Sequence, residues 1–524
     1  MALFSGRGVS RVGVIFGAAL TLTACTTLGP DYQEPEVAWL DDWKTTLYGQ
    51  VGDPGQQTQV DLRFWWRVFD DPALDRLIAS ARASSPGLRI AALRILESRA
   101  QLGIAGSTLY PQVQQVVGAI DYVNTTQRGG ALPSQSQDFA SYQAGFNIAW
   151  ELDFWGRFRR GIESADAAFF ASIANQRDAQ VLLTAQVADF YYAYRTTQLR
   201  IAIAEKNAAI QKRSYEITER IYRSGQDSEL DLQQARTQYL ATLSTIPELQ
   251  ISLVRIRNAL CTLLGRPPGH LPELADEADP LPAVDTAHVT GIPAQLLIRR
   301  PDVRAAAWQV ATQSAQIGIA EAEFYPSISL SGTIGWSGTT LGGSPDTGTL
   351  AVGPGVVWNI FDYGRIANNV RVQDARLQQL IEQYQLTVLQ AAQEIDNAAI
   401  SVVKYAEQHK VLSDAVSASN RALELANSQY REGYAGFQRV LDAQRAAFSQ
   451  AERELINRGN NISAIVALYK GLGGGWLDMT LDQMIPAQTR RAMQERTDWG
   501  KLLDEPLPVS APDAPSASGS QNNE

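Results

Sequence analysis

Hydrophobic and polar positions alternate along three stretches of the chain. From Ala140 to Leu152 the even positions are Ala140, Tyr142, Ala144, Phe146, Ile148, Trp150 and Leu152; between them lie Ser141, Gln143, Gly145, Asn147, Ala149 and Glu151. A period of two predicts a strand with one apolar face and one small, polar face. The pattern returns at Ile328, Leu330, Gly332, Ile334 and Trp336, and from Leu350 to Ile360, with Val352, Val356 and Trp358 on one side. A fourth, less regular segment follows Pro111. The predicted strands are 112–123, 139–152, 327–337 and 349–361, each of roughly the length of a tilted membrane strand. Trp150 and Trp358 fall at one end of their strands, and Tyr142 and Trp336 lie toward the other. This is the layout of two aromatic girdles. A soluble sheet with one face on a core would alternate in the same way. The aromatic ends, the polar loops at 124–138 and 338–348, and the N-terminus described below favour a membrane.

Elsewhere the period is helical. From Arg157 to Tyr222 there is no Pro and a single Gly, and from Arg365 to Tyr430 there is neither. Ala, Gln, Arg and Leu dominate, all good helix formers. Each span, if helical, would reach about 100 Å. The apolar stripe is narrow, as in Leu377, Leu380, Ile381 and Tyr384, which suits coiled-coil packing in a thin wall. Returning helices are predicted at 228–264 and 436–470, and Pro247 is expected to kink or break the first of them.

The chain says these things twice. "LGIAGSTLYPQVQ" (102–114) matches "IGIAEAEFYPSIS" (317–329), 215 residues apart at Tyr-Pro, and Pro86 and Pro301 share that offset. "WELDFWGR" and "WNIFDYGR" begin at Trp150 and Trp358, 208 residues apart, as do "YRSG" (222–225) and "YREG" (430–433). Matches that keep order and register define two structural repeats, at 72–265 and 290–473, joined by a linker at 266–289. In each, a helix ends at Tyr-Pro, two strands follow, and a Gly-Arg turn (Gly156-Arg157 and Gly364-Arg365) feeds a strand directly into a long helix.

Four strands cannot close a barrel, and open sheet edges are not tolerated in lipid. The predicted fold is therefore an α+β membrane protein whose barrel is shared between copies in a cyclic oligomer. Two chains would give about eight strands packed solid, and three about twelve around a lumen.

The formal net charge of −10 over 524 residues argues against a nucleic-acid surface. The 2 Cys and 3 His show no metal-ligand spacing. No HExxH, GxSxG or Walker-type phosphate loop is present, so an enzyme is disfavoured. At the N-terminus Arg7 and Arg11 precede "VGVIFGAALTLTA", an apolar stretch of signal-peptide length. It ends in "LTAC" at Cys25, which resembles a lipobox. A signal peptide at 1–24 and a diacylglycerol and N-acyl lipid on Cys25 are expected, with 25–71 as a lipid-anchored extended segment. No other cofactor is expected. Thr26, in place of Asp, favours the outer membrane. After the second repeat, 474–499 is expected to complete an equatorial segment, and the Pro/Ser/Ala-rich 500–524 to be disordered.

The lipobox, "GPDYQEPEV" (29–37), "WWRVFDDPALDRLI" (65–78), both Tyr-Pro strands, both Gly-Arg turns, "YREGYAGFQRVLDAQR" (430–445) and "LYKGLGGGW" (468–476) resemble the TolC-like outer-membrane factors of tripartite RND-type efflux systems, nearest to the NodT/OprM-type lipoproteins. The resemblance covers about 25–480. It implies a homotrimer with a twelve-stranded barrel, a long helical periplasmic tunnel and an equatorial belt. It also implies a periplasmic adaptor and an inner-membrane RND-type transporter as partners. Gly225, Ser228 and Gly433 match the periplasmic tips that adaptors contact. Asp442 matches an acidic ring that narrows the tunnel end. Gln438 and Arg439 stand where family members often carry a second acidic or a bulky apolar residue. Arg439, three residues before Asp442, is positioned by sequence to pair with it. A duct for type I protein secretion would share this build, whereas a coiled-coil scaffold would lack the paired strands.

Overall fold

The computed structural model describes residues 26–40, 61–126, 136–225, 228–274, 280–282, 295–339 and 344–508. Helix α1 is Pro72–Ser84, α2 is Pro86–Ser107, α3 is Arg157–Arg223 and α4 is Glu229–Leu263. In the second repeat α5 is Gln295–Arg299, α6 is Pro301–Ala322, α7 is Arg365–Arg431 and α8 is Phe437–Gly471. Two short helices, α9 (Leu481–Met484) and α10 (Ala487–Arg496), follow. A 3-10 helix at Leu62–Phe69 precedes α1.

The strands are β1 (Val113–Thr126), β2 (Ser136–Leu152), β3 (Ser327–Gly338) and β4 (Thr347–Val357). They form one antiparallel sheet in the order β1-β2-β3-β4. The two hairpins meet where β2 of the first repeat pairs with β3 of the second, placing Ile148 opposite Gly332. Tyr142 lies across Gly338, where any Cβ would stand 2.6 Å from its hydroxyl. The outer edges of β1 and β4 have no partner strand among the described residues.

Both long helices span 67 residues, about 100 Å at 1.5 Å per residue. Each begins at a glycine in the left-handed region, with φ of 75° at Gly156 and 86° at Gly364. A Cβ there would be strained, so glycine makes the turn. An aspartate then caps the first turn: Asp153 accepts from the Phe158 and Arg159 amides, and Asp362 from that of Ile366.

The main core lies around the middle of the bundle. The 3-10 helix buries Trp65 and Trp66 there, and Trp65 stacks on Tyr469 of α8 with ring centroids 5.3 Å apart. Leu271 and Leu281, from the expected linker, are buried in the same core.

Three expectations are corrected. Strand β4 stops at Val357, short of the expected 361, because β3 offers no partner beyond Ser327. Of the kink or break expected at Pro247, the break does not occur: helix α4 continues through it, and the lost amide bond is offset by a 35-residue helix packed along α3. Residues 500–508 are not a loose tail. Leu503 is buried in a cluster with Ile95 and Met493, and Arg99 donates to the carbonyls of Leu502, Glu505 and Pro506.

Candidate channel elements

The sheet exposes its apolar face. Val116, Ile120, Tyr122, Leu350, Val352 and Val356 are all largely exposed in a single chain, far more contiguous apolar surface than a soluble monomer leaves open. Among the described residues no helix is long and apolar enough to cross a membrane.

The girdle residues sit as follows. Trp150 lies two residues before the end of β2, opposite Leu330, and its indole N–H donates to the Leu109 carbonyl at 3.1 Å. Trp358, just past β4, donates to the Phe324 carbonyl at 2.9 Å. Each indole thus holds the turn between the preceding helix and its own hairpin. Tyr142 and Trp336 lie toward the other end of the sheet, with Trp336 opposite Ala144. From Trp150 to Tyr142 is about 27 Å along the strand at 3.4 Å per residue.

Trp155 is the aromatic residue of the first Gly-Arg turn. It stacks on Tyr325 at 4.6 Å and donates to the Pro326 carbonyl at 2.8 Å, tying repeat one to repeat two. Its position two residues before Arg157, the start of α3, gave the turn but not the partner.

The first part of the expected extended segment is an N-terminal strap whose partners the sequence did not indicate. Residues 26–40 run across the groove between α3 and α6. Arg160, 3% exposed, donates to the carbonyls of Leu28 and Gly29 at 2.9 and 3.0 Å and to Asp31 at 2.8 Å. Gly318 of α6 allows the close approach: a Cβ there would stand 2.4 Å from the Leu28 carbonyl oxygen. Cys25, immediately before this strap, lies outside the described residues.

At the opposite end are the helical tips. Gly225 and Gly433 both adopt positive φ, 77° and 79°, and terminate α3 and α7. Nothing lies within 4 Å of a Cβ built on either. Ser228 caps α4 by accepting from the Leu230 amide at 3.1 Å. The hairpins meet near the tips through Ala235, Ala426, Phe437, Val440 and Leu441.

Asp442 is on α8 beside that contact, with its side chain 59% exposed. Gln438, one turn earlier, donates to it at 3.0 Å, and Arg445 lies 3.8 Å away. Arg439 does not pair with it. Gln438 four residues before Asp442 and Arg445 three residues after it reach the carboxylate, and Arg439 three residues before it does not. Arg445 also bonds Gln238 of α4, and Gln444 donates to Ser214 of α3 at 2.9 Å. The gate candidates Gln438 and Asp442 are thus joined, and the next turn ties them to the first repeat.

A further charged cluster joins the repeats higher up. Arg300, 7% exposed, donates to the Gly471 carbonyl at 2.7 Å and pairs with Asp302 and Glu394. Asp178 faces this cluster. Burial, then Asp302, pushes its carboxyl up to about 6 against the pull of Arg300 and Lys470. Among the described residues no group of His, Cys, Asp and Glu is arranged to hold a metal.

The geometry matches known proteins. The family model "Outer membrane efflux protein" matches residues 77–266 and 292–474, once per repeat. The chain is 31% identical over 472 residues to the antibiotic efflux pump outer membrane protein ArpC of Pseudomonas putida, covering 88% of this chain and 95% of that one. It is 30% identical over 472 residues to the cation efflux system protein CusC of Escherichia coli, covering 88% and 98%. The solved outer-membrane channel OprN superposes with a TM-score of 0.77 at 32% identity, over 86% of this chain and all of that one. An exposed apolar sheet, two strand-to-helix turns and two long hairpins, in a chain matched along both repeats, make this protein a member of the outer membrane efflux protein family, a TolC-type outer-membrane channel related to the NodT/OprM group.

Proposed function

We propose that this protein is the exit duct of a tripartite efflux pump and passively conducts small toxic molecules out of the cell. Three copies would supply about twelve strands to one barrel, continued by the helices into the periplasm. An acylated Cys25 would anchor the strap to outer-membrane lipid. The tips around Gly225, Ser228 and Gly433 would dock a periplasmic adaptor, linked to an inner-membrane RND-type transporter that supplies the energy. The observation that carries this reading is the four-stranded sheet, apolar outside and open at both edges, fused to paired 67-residue helices. Such a sheet is stable in lipid only when copies close it.

Asp442 would form a ring of three carboxylates at the narrow end, attracting cations and slowing anions. The bond from Gln438 orients each carboxylate without neutralising it. The test is single-channel conductance in planar bilayers together with drug susceptibility of complemented cells. Asp442→Asn is expected to lower cation preference and raise conductance. Unchanged selectivity and conductance would remove the gate role, and absence of any channel would remove the duct.

A further inference from the structure

The register of the sheet separates its two faces. Residues opposed across neighbouring strands share a face, so the apolar side of Val116, Ile120, Tyr142, Phe146 and Ile148 leaves the odd-numbered positions on the other. In a barrel that turns its apolar side to lipid, this second face lines the lumen. In the second hairpin it carries the hydroxyls of Ser327, Ser329, Ser331, Thr333, Thr347 and Thr349. Two of these are turned to the sheet itself: Ser327 donates to the Val357 carbonyl at 3.3 Å and Thr333 to Asn147 at 2.7 Å.

Among the described residues the lumen face has two charged side chains, Asp121 and Glu151. Glu151, at the helix end of β2, accepts from Arg157 at 3.2 Å, so its charge is balanced where the strand feeds the helix. Asp121, toward the far end of β1, is exposed and makes no hydrogen bond or ion pair among the described residues. Directly across from it is Ser141, next to Tyr142 of the outer girdle. Of the other carboxylates described at that end, Asp138 lies on the opposite face and accepts from Asn124 at 2.6 Å. Asp346, just before β4, accepts from the Thr339 amide at 2.7 Å. A carboxylate without a partner is stable only where water solvates it, and its field then acts on whatever passes.

We propose that Asp121 forms a charge filter near the outer mouth of the duct: three unpaired carboxylates, one per copy, that favour cationic over anionic solutes as they leave. The proposal rests on the trimeric duct described above. It is separate from Asp442, because a helical section of about 100 Å lies between them and charges are screened over about 10 Å in 0.1 M salt. Asp442 also has the Arg445 guanidinium 3.8 Å away, a balance that Asp121 lacks. Twelve strands tilted by about 40° close at a radius of about 12 Å, which places an inward carboxylate about 9–10 Å from the axis. Three such charges enrich cations over anions on the axis by about fivefold in 0.1 M salt and hardly at all in 1 M.

The experiment measures reversal potentials of the full-length protein in planar bilayers under two opposite potassium chloride gradients. With about 0.1 M on the outer side and about 1 M on the periplasmic side, Asp121→Asn should lower the cation-to-anion permeability ratio by about two- to fivefold. With the gradient reversed the outer ring is screened, and the variant should match the unaltered protein. Asp442→Asn should show the opposite dependence on which side is dilute. Asp121→Asn combined with Ser141→Asp returns a carboxylate to the directly opposed position of the same face and should restore the ratio. Ser141→Lys, which balances Asp121 in place, should lower the ratio as Asp121→Asn does and gives the same reading should that variant form no channels. An unchanged ratio with the outer side dilute, a loss that is the same under both gradients, or no restoration by Ser141→Asp overturns the filter and leaves the duct standing. Absence of any channel from the unaltered protein overturns both.

Discussion

Beside the Arg304–Glu34 pair and the core packing of Tyr32, Val37 and Trp39, the strap that follows Cys25 is clamped at Leu28–Asp31 by one buried guanidinium, and Arg160→Met removes that bond set together with the Glu163 pair. Methionine keeps the apolar stem that packs against Gly318 and removes every donor. Three groups of the strap lose a partner: the carbonyls of Leu28 and Gly29 and the carboxylate of Asp31. Bonds from a charged donor contribute about 1.5–3 kcal/mol each, so the two carbonyls account for about 3–6 kcal/mol. Asp31 is 92% exposed and adds at most about 1 kcal/mol. Both carbonyls can turn to water once the strap lifts, so the lower end applies, about 3 kcal/mol, or about 100-fold in the opening equilibrium. The Leu28 amide, which donates to the Trp155 carbonyl at 3.3 Å, reports that opening. Hydrogen exchange by mass spectrometry should show it exchanging about 100-fold faster, with the amides around Val187, fully buried in α3, unchanged. A change below about threefold at Leu28, or an equal loss of protection in α3, would refute the assignment of Arg160 as the clamp.

Other outcomes follow from the same structure. Asp178 has its folded-state carboxyl raised from 3.8 to about 6, so the native state holds the extra proton between those values and stability falls as pH rises through them. Asp178→Asn should therefore raise the unfolding free energy by about 1–3 kcal/mol at pH 7.5 and little at pH 4, read from denaturant titrations; an equal gain at both would exclude titration as the cause. Pro247 is exposed within an unbroken helix, and Pro247→Ala should stabilise by up to about 3 kcal/mol, read as a higher melting temperature, whereas a lower one would mean the proline sets a required bend. Gly433→Val forces a β-branched residue to φ 79° at an open tip. It should reduce adaptor capture and drug resistance while leaving bilayer conductance intact, and unaltered resistance would argue against the tip as the docking point.

Much of this was legible in the sequence because its periods are long and clean. A period of two over Ala140–Leu152 can only be a strand with two unlike faces. Sixty residues without proline, opened by Gly-Arg, announce the long helices. The offsets showed two repeats, and the strand count showed that one chain cannot be the whole barrel. What only the tertiary structure decided were pairings between residues far apart in the chain. Asp442 took Gln438 and Arg445 over Arg439, a choice that helical spacing alone leaves open because positions three and four residues away on either side are all within reach. Arg160 on the strap and Trp155 on Tyr325 are contacts across more than a hundred residues, for which local pattern holds no signal. The end of β4 had the right sequence and the wrong length, since a strand is defined by its neighbour as well as by its own alternation. The sequence by itself determined the elements and their faces, which depend on local sterics and burial. The fold alone determined which face met which, because that depends on how the repeats close on one another.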